Sequence, residues 1–257
     1  MRRRDLVILL GGAAAARPLG TGAQQGEKVY KVGFLTAGSS DPLGRSVVHD
    51  AFRGLGYVEG KNLAFERRHA EDRLDRLPGL AAELVSLKVD VIMTAGTLAP
   101  LAAKRATSTI PIVMMNAGDP VGSGLVASLA QPGGNVTGMS LMAPDLGGKR
   151  LELVKELFPG ISRVAVRWNA ANPYSALMFK ETVGAAETLG VELQSLEIRE
   201  PPDLDAALEA AAGQHADALI AVEDPLTWDL RRKIAESRST TDCRQYRASE
   251  RSPMQEL

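Results

Sequence analysis

The sequence predicts an α/β fold of two parallel-sheet lobes facing a shared cleft. Three observations carry this reading. Short apolar runs alternate with amphipathic helical stretches, the signature of parallel strands joined by right-handed helical crossovers. The alternation stops at Gln131-Pro132-Gly133-Gly134, a turn that no helix can run through, and resumes beyond it. Nearly every apolar run ends in a small polar loop, and in parallel sheets the carboxyl ends of the strands are where ligands bind.

The first lobe reads in order as follows. Val29 to Leu35 is a strand that ends in Thr36-Ala37-Gly38-Ser39-Ser40. That loop suits either backbone and hydroxyl contact with a ligand or an ordinary strand-to-helix turn. A short helix spans Pro42 to Leu55 and closes at Gly56. Asn62 to Arg67 is a strand. Leu74, Leu77, Leu80, Ala81, Leu84 and Leu87 recur at three- and four-residue intervals and predict a helix over Arg73 to Leu87. Val89 to Met93 is a strand ending in Thr94-Ala95-Gly96-Thr97, and a helix follows to about Ala106. Ile110 to Met115 is a strand ending in Asn116-Ala117-Gly118-Asp119-Pro120, and Val121 to Leu129 is expected to be helical. Asn135 to Ser140 is extended and passes between the lobes near a hinge.

The second lobe, residues 139–237, repeats the pattern after a first lobe at 29–138. Lys149 to Leu157 is a helix. Val164 to Trp168 is a strand ending in Asn169-Ala170-Ala171-Asn172. Ser175 to Leu189 is a helix closed by Gly190, and Val191 to Ile198 is a strand. Asp203 is expected to cap a helix to Ala212. Asp217 to Val222 is a strand ending in Glu223-Asp224-Pro225, and a last helix runs from Leu226 to about Ser237.

Residues 1–23 have the order of an export signal. Arg2-Arg3-Arg4 precedes the short apolar run Leu6 to Leu10, and Thr21-Gly22-Ala23 offers small residues at a cleavage site. The arginine pair also fits a twin-arginine pattern loosely. The apolar run is shorter than the ~20 residues a membrane-spanning helix needs. The expected location is therefore the periplasm.

The 257 residues carry a formal net charge of −1, which gives no electrostatic basis for nucleic-acid binding. The single cysteine, Cys243, supports neither a disulfide framework nor a thiolate metal site, and His49, His69 and His215 stand at no metal-ligand spacing. There is no phosphate loop, no dinucleotide glycine fingerprint and no nucleophile elbow. Asp119 and Asp224 invite comparison with a catalytic carboxylate pair. Each stands before a proline, however, where an aspartate ordinarily caps the next helix. No catalytic residue, metal or cofactor is expected.

The chain also resembles a known family. The matching stretches are Gly56-Tyr57-Val58-Glu59-Gly60-Lys61-Asn62, Asp75-Arg76-Leu77-Pro78, Thr109-Ile110-Pro111-Ile112-Val113, Gly124-Leu125-Val126-Ala127-Ser128-Leu129, Pro132-Gly133-Gly134-Asn135-Val136-Thr137-Gly138 and Lys149-Arg150-Leu151-Glu152-Leu153. In this order they are similar to the ABC-transporter substrate-binding protein family, which has the type I periplasmic binding fold of two Rossmann-like lobes. The resemblance implies capture of a small polar solute in the inter-lobe cleft and its delivery to ABC permease membrane subunits. The candidate ligand-binding residues, from their loop positions, are Ser39, Ser40, Gly96, Thr97, Asn116, Asp119, Asn169, Asn172 and Asp224. For an amino acid, Ser39, Ser40, Gly96 and Thr97 suit the carboxylate, and Asp119 or Asp224 the ammonium.

Two departures from the family stand out. Arg53-Gly54-Leu55-Gly56 is about one helical turn shorter than the family pattern. Residues 238–257 have no apolar period and read as a disordered tail. A one-base frame shift near Ser237 would account for that tail and deprive the second lobe of a strand. The competing readings are a truncated, non-functional product of such a gene and, from another class, a cytoplasmic α/β enzyme.

Overall fold

The computed structural model describes residues 28–39, 42–141, 146–236 and 244–246. The export signal at 1–23 and the candidate Ser40 lie outside the described residues.

The first lobe is built from β1 (Tyr30–Thr36), α1 (Pro42–Gly54), β2 (Leu63–His69), α2 (Leu77–Ser86), β3 (Val91–Thr94), α3 (Leu98–Ala106), β4 (Ile112–Ala117) and β5 (Val136–Ser140). Its strands form one parallel sheet in the order β2-β1-β3-β4-β5. Leu80, Ala81 and Leu84 of α2 and Ala99 and Ala103 of α3 bury against Leu35, Ile92 and Ile112 of the strands. Ala and Leu on the helices and β-branched side chains on the strands suit this close packing. The expected helix over Arg73 to Leu87 divides into a 3-10 turn, Leu74–Arg76, and α2 with Pro78 in its first turn.

The second lobe follows as α4 (Leu146–Leu157), β6 (Arg163–Asn169), α5 (Pro173–Leu189), β7 (Glu192–Ile198), α6 (Asp203–Gly213), β8 (Ala218–Ala221), α7 (Pro225–Asp229), α8 (Arg231–Glu236) and β9 (Arg244–Tyr246). Its parallel sheet has the order β7-β6-β8-β9, the same winding as the first four strands of the other lobe. One face packs on Leu151 and Val154 of α4 and Met178 and Ala186 of α5. The other packs on Leu204 and Ala207 of α6, Leu226 of α7 and Ile234 of α8.

Four expectations are corrected. Val121 to Leu129 is a series of turns rather than a helix. The Asp119 carboxylate accepts from Val121 N (3.1 Å) and Gly122 N (2.9 Å), and Gly124 sits at φ +74°, which ends any helical run. Asp203 is the first residue of α6 rather than its cap. Its carboxylate instead accepts the backbone N–H groups of Arg199 (2.8 Å) and Glu200 (3.0 Å). The last helix is broken into α7 and α8 at Leu230. The tail, expected to be without structure, supplies a three-residue edge strand at Arg244–Tyr246, paired in parallel with Ala218 to Ile220 of β8. This lobe remains the smaller one, with no counterpart of β5 among the described residues. β5 itself belongs to the first sheet, pairing with β4 as far as Ser140.

Candidate functional site

A cleft of about 470 Å³ lies between the carboxyl ends of the two sheets. The first lobe contributes the loops after β1, β3 and β4, and the second those after β6 and β8. Of the sequence-predicted residues, Ser39, Gly96, Thr97, Asn116, Asn172 and Asp224 line it. Asp119 and Asn169 are not among its lining residues.

The first-lobe wall is small and hydroxyl-rich. A register irregularity in the β4–β5 pairing between Met114 and Ala117 leaves the Asn116 side chain exposed, where its Oδ1 accepts from Gly96 N at 2.7 Å. The buried Thr97 hydroxyl accepts from Gly118 N at 3.3 Å. Gly118 is required to be glycine because a Cβ there would overlap the Tyr174 ring of the opposite lobe. At the rim, the Asp229 carboxylate of α7 reaches across the cleft and accepts from Ser39 N (2.8 Å) and Ser39 Oγ (3.0 Å). In this conformation Ser39, one of the donors expected to hold a ligand carboxylate, holds a carboxylate from the other lobe.

The second-lobe wall is charged, and two of its carboxylates, Glu223 and Asp224, are paired with arginines. Arg150 of α4 holds Glu223 in a two-pronged ion pair, Nη1 to Oε2 at 2.5 Å and Nη2 to Oε1 at 2.6 Å, and the Tyr174 hydroxyl donates to Oε1 at 2.9 Å. Burial alone pushes the Glu223 carboxyl up, but the guanidinium outweighs it and holds the group below the ordinary range. The same burial, reinforced by the neighbouring Glu223 charge, pushes the Tyr174 hydroxyl well up, so it stays a neutral donor.

Beneath this lies a second ion pair. Arg167 in the middle of β6 is fully buried, and its Nη2 stands 3.6 Å from Asp224 Oδ1, whose side chain is also fully buried. Asp224 caps α7, accepting from Thr227 N and Thr227 Oγ1, both at 2.7 Å, and its Oδ2 accepts from Asn169 Nδ2 at 2.6 Å. Burial brings Arg167 down to about 10, partly opposed by the attraction of Asp224. Asn169 thus acts through Asp224. Asn172 caps α5, its Oδ1 accepting from Tyr174 N at 3.1 Å.

The sequence reading missed Arg150, Arg167, Tyr174, Glu223, Trp228, Asp229 and Arg231. Arg150 and Glu223 are 73 positions apart, and no local pattern joins them. Trp228, Asp229 and Arg231 stand where a helical period already accounted for the sequence. Among the described residues no group of three or more His, Cys, Asp or Glu is placed to hold a metal ion, and no helix is long and apolar enough to cross a membrane.

Two parallel α/β lobes opening onto one cleft are the architecture of two-lobed periplasmic binding proteins. A family model for ABC transporter substrate binding proteins matches residues 34–230, and the chain belongs to that family. A tyrosine-binding protein of Clostridioides difficile (strain R20291) is 32% identical over 165 residues, which cover 64% of this chain and 47% of that protein. The chain therefore matches about half the length of that curated relative. A crystal structure of a conserved domain protein from Vibrio cholerae O1 biovar El Tor superposes with a TM-score of 0.79 at 28% identity, covering 87% of this chain and 75% of that one. An ABC domain from Streptococcus pneumonia, solved in complex with L-Trp, has a TM-score of 0.76 at 22% identity, covering 85% and 74%.

Proposed function

We propose that this chain is the extracytoplasmic solute-binding component of an ABC importer and captures an amino acid in its inter-lobe cleft. The carrying observation is the cleft itself: about 470 Å³, within the usual size for small-molecule sites, and walled by loops of both lobes. A solute touching both walls favours the closed arrangement, which is how two-lobed proteins couple binding to domain closure. The tyrosine-binding relative supports an amino acid as the class of solute. Export rests on the signal at residues 1–23, and a permease is the partner such a family member serves.

Ser39, Ser40, Gly96, Thr97, Asn116 and Asn172 are the ligand-facing groups on this reading. Asp224 shapes the wall from beneath, with Asn169 behind it. Asp119 shapes the loop after β4. The test is a thermal-shift screen of the mature chain against the proteinogenic amino acids. A ligand that binds only the folded state raises its melting temperature. The expected outcome is stabilisation by a small subset; a flat response across the panel sinks the proposal.

A further inference from the structure

The short turn α7 joins the second lobe to the first, and the contact is built on both sides. On the second-lobe side α7 has a fixed base. Asp224, its side chain sealed from solvent, caps it from beneath, and Leu226 is buried in the core of that lobe. Asp229, the last residue of α7, is presented from that base and is half-buried.

On the first-lobe side the loop after β1 is shaped to receive it. The carbonyls of that loop are taken up within its own lobe: Thr36 O accepts from Ala70 N at 3.0 Å, Ala37 O from Asp72 N at 2.9 Å and Gly38 O from Glu71 N at 3.3 Å. The Ser39 N–H and hydroxyl point instead at the other lobe, and the Asp229 carboxylate accepts both, at 2.8 and 3.0 Å. The approach is close. A Cβ at Gly38 would stand 2.8 Å from Asp229 Oδ2, and one at Gly96 would stand 3.2 Å from Pro225 Cγ. Bare backbone at both positions lets α7 sit against the loops. Hydrogen bonds to a carboxylate are roughly twice as strong as those between neutral groups.

We infer that Asp229 and Ser39 form a latch that closes the cleft with the chain's own atoms. Every atom of the contact belongs to the chain, so closure does not require a solute. Asp229 is thereby a tethered competitor for the Ser39 donors, and a solute gains them only after Asp229 lets go. The open form that admits a solute is then a fraction of the population, and the apparent affinity is lowered by that fraction. This last consequence rests on the solute-binding reading. The latch itself does not, and it is testable on the chain alone.

Residue-resolved amide exchange by NMR on the dialysed mature chain reads the contact, and small-angle X-ray scattering reads the closure. Ser39 is an exposed residue, so slow exchange of its N–H reports the bond to Asp229. In Asp229→Ala that amide is expected to exchange about tenfold faster or more, and the radius of gyration is expected to rise. The Ile92 amide, bonded to Pro111 O inside the first lobe, keeps its rate. Asp229→Asn, which retains an acceptor oxygen without the charge, is expected to fall between the two. A Ser39 amide that exchanges at the unprotected rate in the unmodified chain overturns the inference, and this measurement requires no variant to fold. A Ser39 amide unchanged by Asp229→Ala overturns it too. So does faster exchange without expansion, because the bond would then be a surface contact that closes nothing. Any of these failures leaves the solute-binding reading standing. A protected Ser39 amide beside a flat amino-acid screen removes that reading and keeps the latch.

Discussion

Each lobe carries an Asp-Pro pair at the end of a strand, Asp119-Pro120 after β4 and Asp224-Pro225 after β8, and the two have different fates. Asp119 folds back on its own loop, accepting from Val121 N and Gly122 N, and is half-buried. Asp224 does the same local work for α7 but is also sealed from solvent and tied to Asn169 and Arg167 on the neighbouring strand. A local motif fixes the turn. What surrounds it decides whether the carboxylate is a replaceable cap or the centre of a buried network. The difference arises one strand away, at position 167, where the second lobe places an arginine inside its sheet.

The largest expected effect comes from breaking the second of these. Asp224→Ala removes the cap and the Asn169 partner at once and leaves Arg167 buried without its counter-charge. Nε and Nη1 of that side chain already have no hydrogen-bond partner. Removing one member of a buried pair typically costs about 3–5 kcal/mol, to be read from the shift in urea midpoint. A cost under about 1 kcal/mol, the range of exposed ion pairs, would show that Arg167 and Asp224 do not depend on each other.

Asp119→Ala is the matched experiment in the first lobe. Only capping bonds are lost, and no buried charge is stranded, so the expected cost is about 0.5–2 kcal/mol. Urea titration of the two variants side by side sharpens the comparison. Equal costs would mean that the surroundings of the two turns, for all their difference in structure, carry no weight.

This contrast also marks how far the sequence can be read. Leu35, Ile92, Val164 and Ile220 announce their strands because apolar β-rich runs between helical periods have few other solutions. The cleft was legible at loop resolution, since parallel sheets put their carboxyl-end loops together: Ser39, Gly96, Thr97, Asn116, Asn172 and Asp224 all reach it. Side-chain commitments were not legible. Arg167 sits within an apolar strand, and whether it faces solvent or a buried aspartate depends on a strand 55 positions later. Trp228 and Arg231 fit a helical period, and nothing in that period says that they line the cleft or that the helix breaks at Leu230. The expected helix after Asp119 failed for a local reason, because glycines at 122 and 124 and the Asp119 turn outweighed an apolar spacing that fitted a helix.

The smallest expected effect lies where the second Asp-Pro turn reaches the first lobe. α7 begins at Pro225 and ends at Asp229, whose carboxyl acts on Asp72 of the first lobe. Burial, then the charge and hydrogen bond of Asp229, then the more distant charge of Asp224 push Asp72 from 3.8 up to about 7. Folding therefore takes up a proton between those values. The stability that this contact contributes is full below about pH 4, falls as pH rises toward 7 and is lost above it. Asp72 has φ +60°, a conformation asparagine also tolerates, so Asp72→Asn keeps the backbone and replaces the shared proton with a permanent amide donor. In melting curves from pH 4 to 8, the variant is expected to match the unmodified chain at the acid end and exceed it by a few degrees at the alkaline end. Groups such as Glu223, whose depressed carboxyl gives a pH dependence of the opposite sign at lower pH, cancel in the difference between the two profiles. Parallel profiles for Asp72→Asn and the unmodified chain would mean that the two lobes share no proton at this contact.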